Sequence, residues 1–130
     1  MTTTETNDDY KQYIIIRKDL SMRQGKSIVQ ATRACEKLLN GDPDLRTPQQ
    51  EYALDTWLHD GVNKKIAVYV NTEAELLECI DLARTSGWLH TTTIDIGLTE
   101  FKNCATLTCC VIGPERSSVL DQYFGHLKLM

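Results

Sequence analysis

The chain lacks long hydrophobic runs. Its apolar run near the N-terminus, residues 13–16, is far shorter than the roughly 20 residues that cross a bilayer. Residues 1–9 are polar and acidic, with neither the positive start nor the apolar middle of a signal peptide. We therefore expect a cytoplasmic protein without membrane attachment. In it, residues 1–9 form a flexible acidic tail and residues 10–130 form a single domain.

Cysteine and histidine are not clustered in the way that metal sites or disulfide frameworks require. No C-x-x-C occurs, and no histidine lies close in sequence to a cysteine. Since the number of cysteines is odd, they cannot all pair within one chain. We expect buried, reduced thiols and no metal site. The cysteines are Cys35, Cys79, Cys104, Cys109 and Cys110.

Several motifs of common enzyme classes are also absent. The sequence contains no G-x-G-x-x-G, no P-loop, no G-x-S-x-G and no H-E-x-x-H. Nucleotide binding, serine hydrolase chemistry and metalloprotease chemistry therefore lose their usual sequence support.

Positive charge is scarce in the chain as a whole but concentrated near its start. The net charge is −4, yet residues 11–37 hold seven basic and two acidic residues, which is a net +5. The remainder of the chain therefore sums to −9. A basic patch on an acidic body favours a local anionic partner over a generally adhesive surface.

Hydrophobic periodicity and turn residues predict eight elements in the order β-α-α-β-α-β-β-α. This order predicts an α/β fold with a small four-stranded mixed sheet flanked by helices. The predicted strands cover residues 12–17, 64–70, 90–96 and 105–113. The predicted helices cover residues 22–39, 48–60, 71–87 and 115–124.

The first predicted helix has one polar stripe that holds three cations and an amide but no carboxylate. At about 100° per residue, the stripe consists of Lys26, Gln30, Arg33 and Lys37. The side predicted to be buried consists of Ile28, Ala31, Cys35, Leu38 and Leu39. Such a stripe is either simply solvated or directed at an anion.

Two further stretches place polar groups at strand ends. In "DIGLTE", Asp95 ends a strand just before Gly97 and Thr99, which is where ligands gather in open α/β sheets. An ordinary turn is the alternative, since Asp and Gly often mark one. In "CATLTCC", Thr106 and Thr108 share one face of a strand, opposite Cys109, and either line a pocket or face solvent.

Four stretches together resemble the archaeal and eukaryotic type of peptidyl-tRNA hydrolase. They are "IIIRKDLSMRQGKSIVQ", "DIGLTE", "TLTCCVIGP" and "GHLKL", and they occur in the family's order across residues 12–130. The resemblance implies an α/β fold with a four-stranded mixed sheet, often assembled as a homodimer. It implies hydrolysis of the ester that joins a nascent peptide to tRNA, which recycles both, without a metal or organic cofactor.

The resemblance also implies site residues, to which we assign hypothetical roles. Asp95 orients or deprotonates the attacking water, and Lys26 stabilises the developing negative charge. Gln30 and Thr106 hold the ester or the terminal ribose, and Thr99 fixes Asp95 or donates a hydrogen bond beside it. The residues expected to contact tRNA phosphates are Arg17, Lys18, Arg23, Arg33 and Lys37.

Three positions depart from the family pattern. Arg33 stands where a histidine is common, Leu98 where an arginine is common, and Ala105 where a glycine is common. Arg33 keeps a positive charge but cannot shuttle a proton. These departures support a second hypothesis, a catalytically weakened or inactive member that acts as a tRNA- or protein-binding module. A small esterase that acts on another acyl substrate is a third.

Overall fold

The computed structural model describes residues 8–97 and 104–130. In these residues it confirms the predicted fold class and the order of the helices and strands. The strands are β1 (Tyr10–Arg17), β2 (Lys65–Val70), β3 (His90–Asp95) and β4 (Thr106–Arg116). The helices are α1 (Gln24–Leu39), α2 (Pro48–His59), α3 (Glu73–Ser86) and α4 (Ser117–Phe124), with short 3₁₀ turns at Lys18–Leu20 and Pro43–Leu45.

Most of the predicted acidic tail lies outside the described residues. Its last two residues contact the start of α4. The Ser117 hydroxyl donates to Asp9, and the Ser118 hydroxyl donates to Asp8. These carboxylates lie where the first N–H groups of a helix favour negative charge.

The four strands form one mixed sheet in the order β2-β1-β4-β3. Strand β1 pairs with β2 in parallel, and β4 pairs in antiparallel fashion with both β1 and β3. Strands β1, β2 and β3 therefore run in the same direction and end at one edge of the sheet. This carboxyl edge is where an open α/β sheet places its ligands.

Local sequence signals explain where the helices begin and end. Thr47 and Gln50 form a capping box at the start of α2, with Pro48 in its first turn. The Thr72 side chain accepts a backbone N–H from the first turn of α3, and Gly87 ends that helix at a positive φ of 78°. These boundaries match those predicted from the sequence to within one to two residues.

Each face of the sheet carries its own apolar core. Tyr13 and Ile15 pack with residues of α3 and α4 on one face, whereas Ile16 and Val111 pack with residues of α1 and α2 on the other. This division follows from the alternation of side chains along a strand. Cys109 and Cys110 are buried as expected, but Cys35 and Cys79 are only half-buried and Cys104 is exposed.

The prediction of which α1 residues are buried is wrong for two of them. Ile28 and Leu39 are 56% and 42% exposed. The buried residues of the helix are Ser27, Gln30, Ala34 and Leu38. The helix is therefore rotated about its axis relative to the prediction. Near the carboxyl edge its contacts with the sheet are hydrogen bonds to Gln30. Hydrophobic periodicity places this polar residue on the solvent side of the helix.

A β-bulge in β4 changes which side chains share a face. Thr93 pairs with Cys109, but the next residue of β3, Ile94, pairs with Leu107, so Thr108 is the extra residue. Thr108 contacts α1, and Cys109 belongs to the core on that same side of the sheet. The prediction that Cys109 lies on the opposite face from Thr108 is therefore wrong.

Within the described residues, no helix combines the length and apolar character needed to span a membrane.

Candidate active site

The site is centred on an ion pair between α1 and the end of β3. The Lys26 ammonium lies 2.6 Å from Oδ1 of Asp95, and the two side chains are only 13% and 6% exposed. A charge-assisted hydrogen bond of this length in a poorly solvated position is among the stronger polar contacts in proteins. It joins residues 69 positions apart in the sequence and fixes the first turn of α1 over the carboxyl edge.

Both oxygens of the Asp95 carboxylate are occupied. Oδ1 accepts from Lys26 and, at 3.4 Å, from Nε2 of Gln30, while Oδ2 accepts from the backbone N–H of Gly97 at 2.9 Å. Gly97 has a φ of 88°, which favours glycine because that conformation crowds a Cβ. Lys26 holds the pKa of Asp95 below its usual value, in spite of the opposing effect of burial. Asp95 is therefore ionised at neutral pH, and as a weak base it is better suited to orienting water than to deprotonating it.

The Gln30 side chain is buried, with 1% exposure, and is held at both ends. The Thr108 hydroxyl lies 2.8 Å from Gln30 Oε1 and 3.1 Å from the carbonyl oxygen of Thr93. The Thr93 hydroxyl in turn donates to the main-chain carbonyl of Gln30 at 3.0 Å. Because an ionised carboxylate only accepts hydrogen bonds, the NH₂ group of Gln30 must face Asp95 and its oxygen must face Thr108.

Thr93 and Thr108 are absent from the predicted site, yet they orient one of its members. The sequence could have identified Thr108, since it shares the T-x-T pattern with Thr106. It could not have identified Thr93, because threonines at 91, 92 and 93 are equivalent in the sequence. Only the register of β3 directs the third of them toward α1.

The other two predicted catalytic residues are Thr106 and Thr99. Thr106 lies opposite Asp95 in the sheet register, but its hydroxyl donates to the carbonyl oxygen of Cys104 at 2.8 Å. Thr106 thus lies at the rim of the site. Thr99, and with it Leu98, falls outside the described residues.

The residues predicted to contact phosphate lie in two environments. Lys18, Arg23, Arg33 and Lys37 are exposed. Of these, Lys18 lies over the ring of Tyr69 and Lys37 donates to the carbonyl oxygen of Thr92. Arg17 is different, because its side chain is only 11% exposed and is engaged by neighbouring acceptors.

The arrangement presents an ammonium, an oriented amide and an ionised carboxylate at one edge of the sheet. The first two can stabilise a negatively charged oxygen, and the third can hold a water molecule by its protons. In the part of the chain that the structure describes, no group of three or more His, Cys, Asp or Glu residues is arranged to hold a metal ion. This chemistry suits addition of water to an ester carbonyl.

Comparison with known proteins agrees with the resemblance seen in the sequence. The family model described as "Peptidyl-tRNA hydrolase PTH2" matches residues 10–130. A peptidyl-tRNA hydrolase of Methanocaldococcus jannaschii is 38% identical over 121 residues, which cover 92% of this chain and 99% of the relative. The peptidyl-tRNA hydrolase of Methanopyrus kandleri is 35% identical, with 93% and 98% coverage, and that of Metallosphaera sedula is 34% identical, with 92% and 99% coverage. The predicted resemblance is confirmed, and the chain belongs to the peptidyl-tRNA hydrolase PTH2 family.

Proposed function

We propose that this protein hydrolyses the ester bond between the nascent peptide and tRNA in peptidyl-tRNA and so releases both for reuse. Family membership supports this function. The observation that carries it is the cluster of Lys26, Gln30 and Asp95 at the carboxyl edge of the sheet. A module that only binds tRNA has no need of a buried amide held against an ion pair.

In the proposed reaction, water adds to the ester carbonyl carbon, and the bond to the ribose oxygen then breaks. One proton of the water passes to the ribose oxygen as that bond breaks, and the other is released to solvent. The products are a peptide carboxylate and a tRNA with a free terminal hydroxyl. Asp95 orients the water, since its depressed pKa makes it a poor proton acceptor. Lys26 and the NH₂ group of Gln30 stabilise the negative charge that develops on the carbonyl oxygen.

The remaining predicted roles extend this proposal. Thr106, at the rim, contacts the terminal ribose, and Thr99 steadies Asp95. The exposed cations contact tRNA phosphates, with attraction that weakens as salt rises. These cations are Lys18, Arg23, Arg33 and Lys37. Arg33 occupies the usual histidine position and contributes charge without proton transfer.

The proposal includes two wider expectations from the resemblance. The protein acts in the cytoplasm, where translation takes place, and it forms a homodimer. Light scattering coupled to gel filtration measures the assembly directly, and a monomer mass at micromolar concentration would contradict the second expectation.

The decisive experiment measures release of tRNA from an N-acetylated aminoacyl-tRNA by the purified protein. We expect turnover by the wild type and a loss of about 10²-fold or more in Lys26→Ala, the size expected when a charge-stabilising donor is removed. Lys64→Ala is the matched control, because Lys64 is an exposed lysine that pairs with Asp9 near the opposite edge of the sheet. Binding of the substrate without hydrolysis would instead support the tRNA-binding module, and equal rates in both variants would contradict the assignment of Lys26.

A further inference from the structure

Arg17, the last residue of β1, lies where the pairing of β1 with β4 ends and close to the bulge in the pairing of β4 with β3. The pairing of β1 with β4 ends at Ile16 and Cys109, one residue before the bulge at Thr108. Beyond that point, among the described residues, β4 remains paired with β3 alone. The segment of β4 that passes the active site thus has no strand partner from β1.

The guanidinium of Arg17 takes the place of that missing partner. Its Nη1 donates to the carbonyl oxygen of Leu107 at 3.0 Å. This carbonyl belongs to the peptide unit that joins Leu107 to Thr108, whose hydroxyl orients Gln30. A side chain in β1 therefore holds the backbone from which the orienting hydroxyl projects.

The guanidinium is itself fixed by two carboxylates. Nε and Nη2 donate to the two oxygens of Asp19 at 3.2 and 2.8 Å, and Nη1 lies 3.7 Å from Glu73. A fork of this kind is specific to arginine, because an ammonium has no planar pair of donors. With two negative charges beside one positive charge, the group is also a poor phosphate ligand.

We infer that Arg17 is a positioning residue for the reaction, and that it acts through the Leu107 carbonyl and Thr108 on the orientation of Gln30. The inference rests on the proposed function for its kinetic consequence. It replaces the expectation, drawn from the resemblance and the positive charge, that Arg17 contacts tRNA phosphate.

Arg17→Lys tests this inference, because it keeps the positive charge and removes the fork. A positioning role predicts that kcat falls about tenfold or more, while KM stays unchanged. A raised KM with an unchanged kcat would identify a direct substrate contact and overturn the inference. Arg84→Lys is the matched control, since Arg84 pairs with Asp81 on the exposed surface of α3. Asp19→Asn keeps the guanidinium and weakens its orientation, so it provides a second, milder variant in case Arg17→Lys does not fold.

The route through Thr108 has its own test. If Arg17 acts through that hydroxyl, Arg17→Lys adds little to the loss of rate already caused by Thr108→Val. Losses of rate that multiply independently would overturn the route.

A spectroscopic measurement separates failure of this inference from failure of the proposed function. The side-chain NH₂ signals of Gln30 in a ¹⁵N-labelled protein are assigned by their disappearance in Gln30→Ala. Arg17→Lys is expected to shift them, and Arg84→Lys is not. Unchanged Gln30 signals in Arg17→Lys would overturn the inference even if hydrolysis is observed. Shifted signals would support it even if the wild type fails to hydrolyse the substrate.

Discussion

Replacement of Thr108 by valine is the most informative single change at the site. Valine has nearly the shape of threonine but lacks the hydroxyl that lies 2.8 Å from Gln30 Oε1. Thr108 is fully buried, so water cannot easily take the place of that hydroxyl. The variant therefore leaves a buried acceptor without its donor and frees the Gln30 amide to rotate.

The expected size of the effect follows from these two changes. An unsatisfied buried acceptor costs about 1–3 kcal/mol of unfolding free energy. For a chain of 130 residues each kcal/mol lowers Tm by roughly 3–5 °C, so we expect Tm to fall by about 3–15 °C. If the NH₂ group of Gln30 no longer faces the reacting oxygen, the rate of hydrolysis should fall by about 10- to 100-fold.

The assay compares Tm and single-turnover hydrolysis of an N-acetylated aminoacyl-tRNA in three variants. Thr108→Ser restores the hydroxyl and should keep most of the rate. Thr85→Val makes the same change at an exposed threonine of α3 and should leave the rate unchanged. If Thr108→Val retains both the Tm and the rate of Thr108→Ser, then the hydroxyl does not orient Gln30 and our account of the site is incorrect.

Three other predictions concern charge. Asp95→Asn should lower kcat by about 10²-fold in the same hydrolysis assay, because an amide presents only one oxygen to a water and to Lys26; an active variant would exclude the water-orienting role. Since Lys26 holds the pKa of Asp95 below 3.8, the ion pair stabilises the fold above that pH, and its contribution disappears as the pH falls through the lower pKa of the folded state. Urea unfolding at about pH 6 and about pH 3 should thus show a smaller pH dependence for Asp95→Asn than for the wild type, and equal dependence would contradict the depressed pKa. Removing Arg33 or Lys37 should reduce the slope of log binding constant against log salt by about 0.7–0.9 for each phosphate that the variant no longer neutralises, measured by fluorescence titration with deacylated tRNA, whereas an unchanged slope would show that these cations are merely solvated.

The fold was well predicted because its signals are local. Each strand and helix carries its own periodicity, and Pro48, Thr72 and Gly87 mark element ends by short-range geometry. The order of the elements then restricts the sheet to a few arrangements. These features need no knowledge of distant residues.

The facing of α1 could not be predicted in the same way. Helical periodicity correctly places Lys26 and Gln30 on the same face of the helix. It assigns the more hydrophobic face to the core, however, and therefore predicts that Ile28 is buried and that Gln30 is exposed. In the folded chain Gln30 is buried because Thr93 and Thr108 satisfy its polar atoms, and these donors lie 63 and 78 residues away. Burial of a polar group can be predicted only when its hydrogen-bond partners are known.

The sequence by itself determined the order of the elements, the basic character of residues 11–37 and, through four short stretches, the family. Tertiary structure alone decided that Arg17 is turned toward β4, that a bulge directs Thr108 at Gln30, and that Asp95 is neutralised by Lys26. The physical reason is the separation in sequence over which each interaction acts. Backbone preferences and periodicity act over a few residues, whereas the orientation of a buried charge or amide depends on donors and acceptors that only folding brings within about 3 Å.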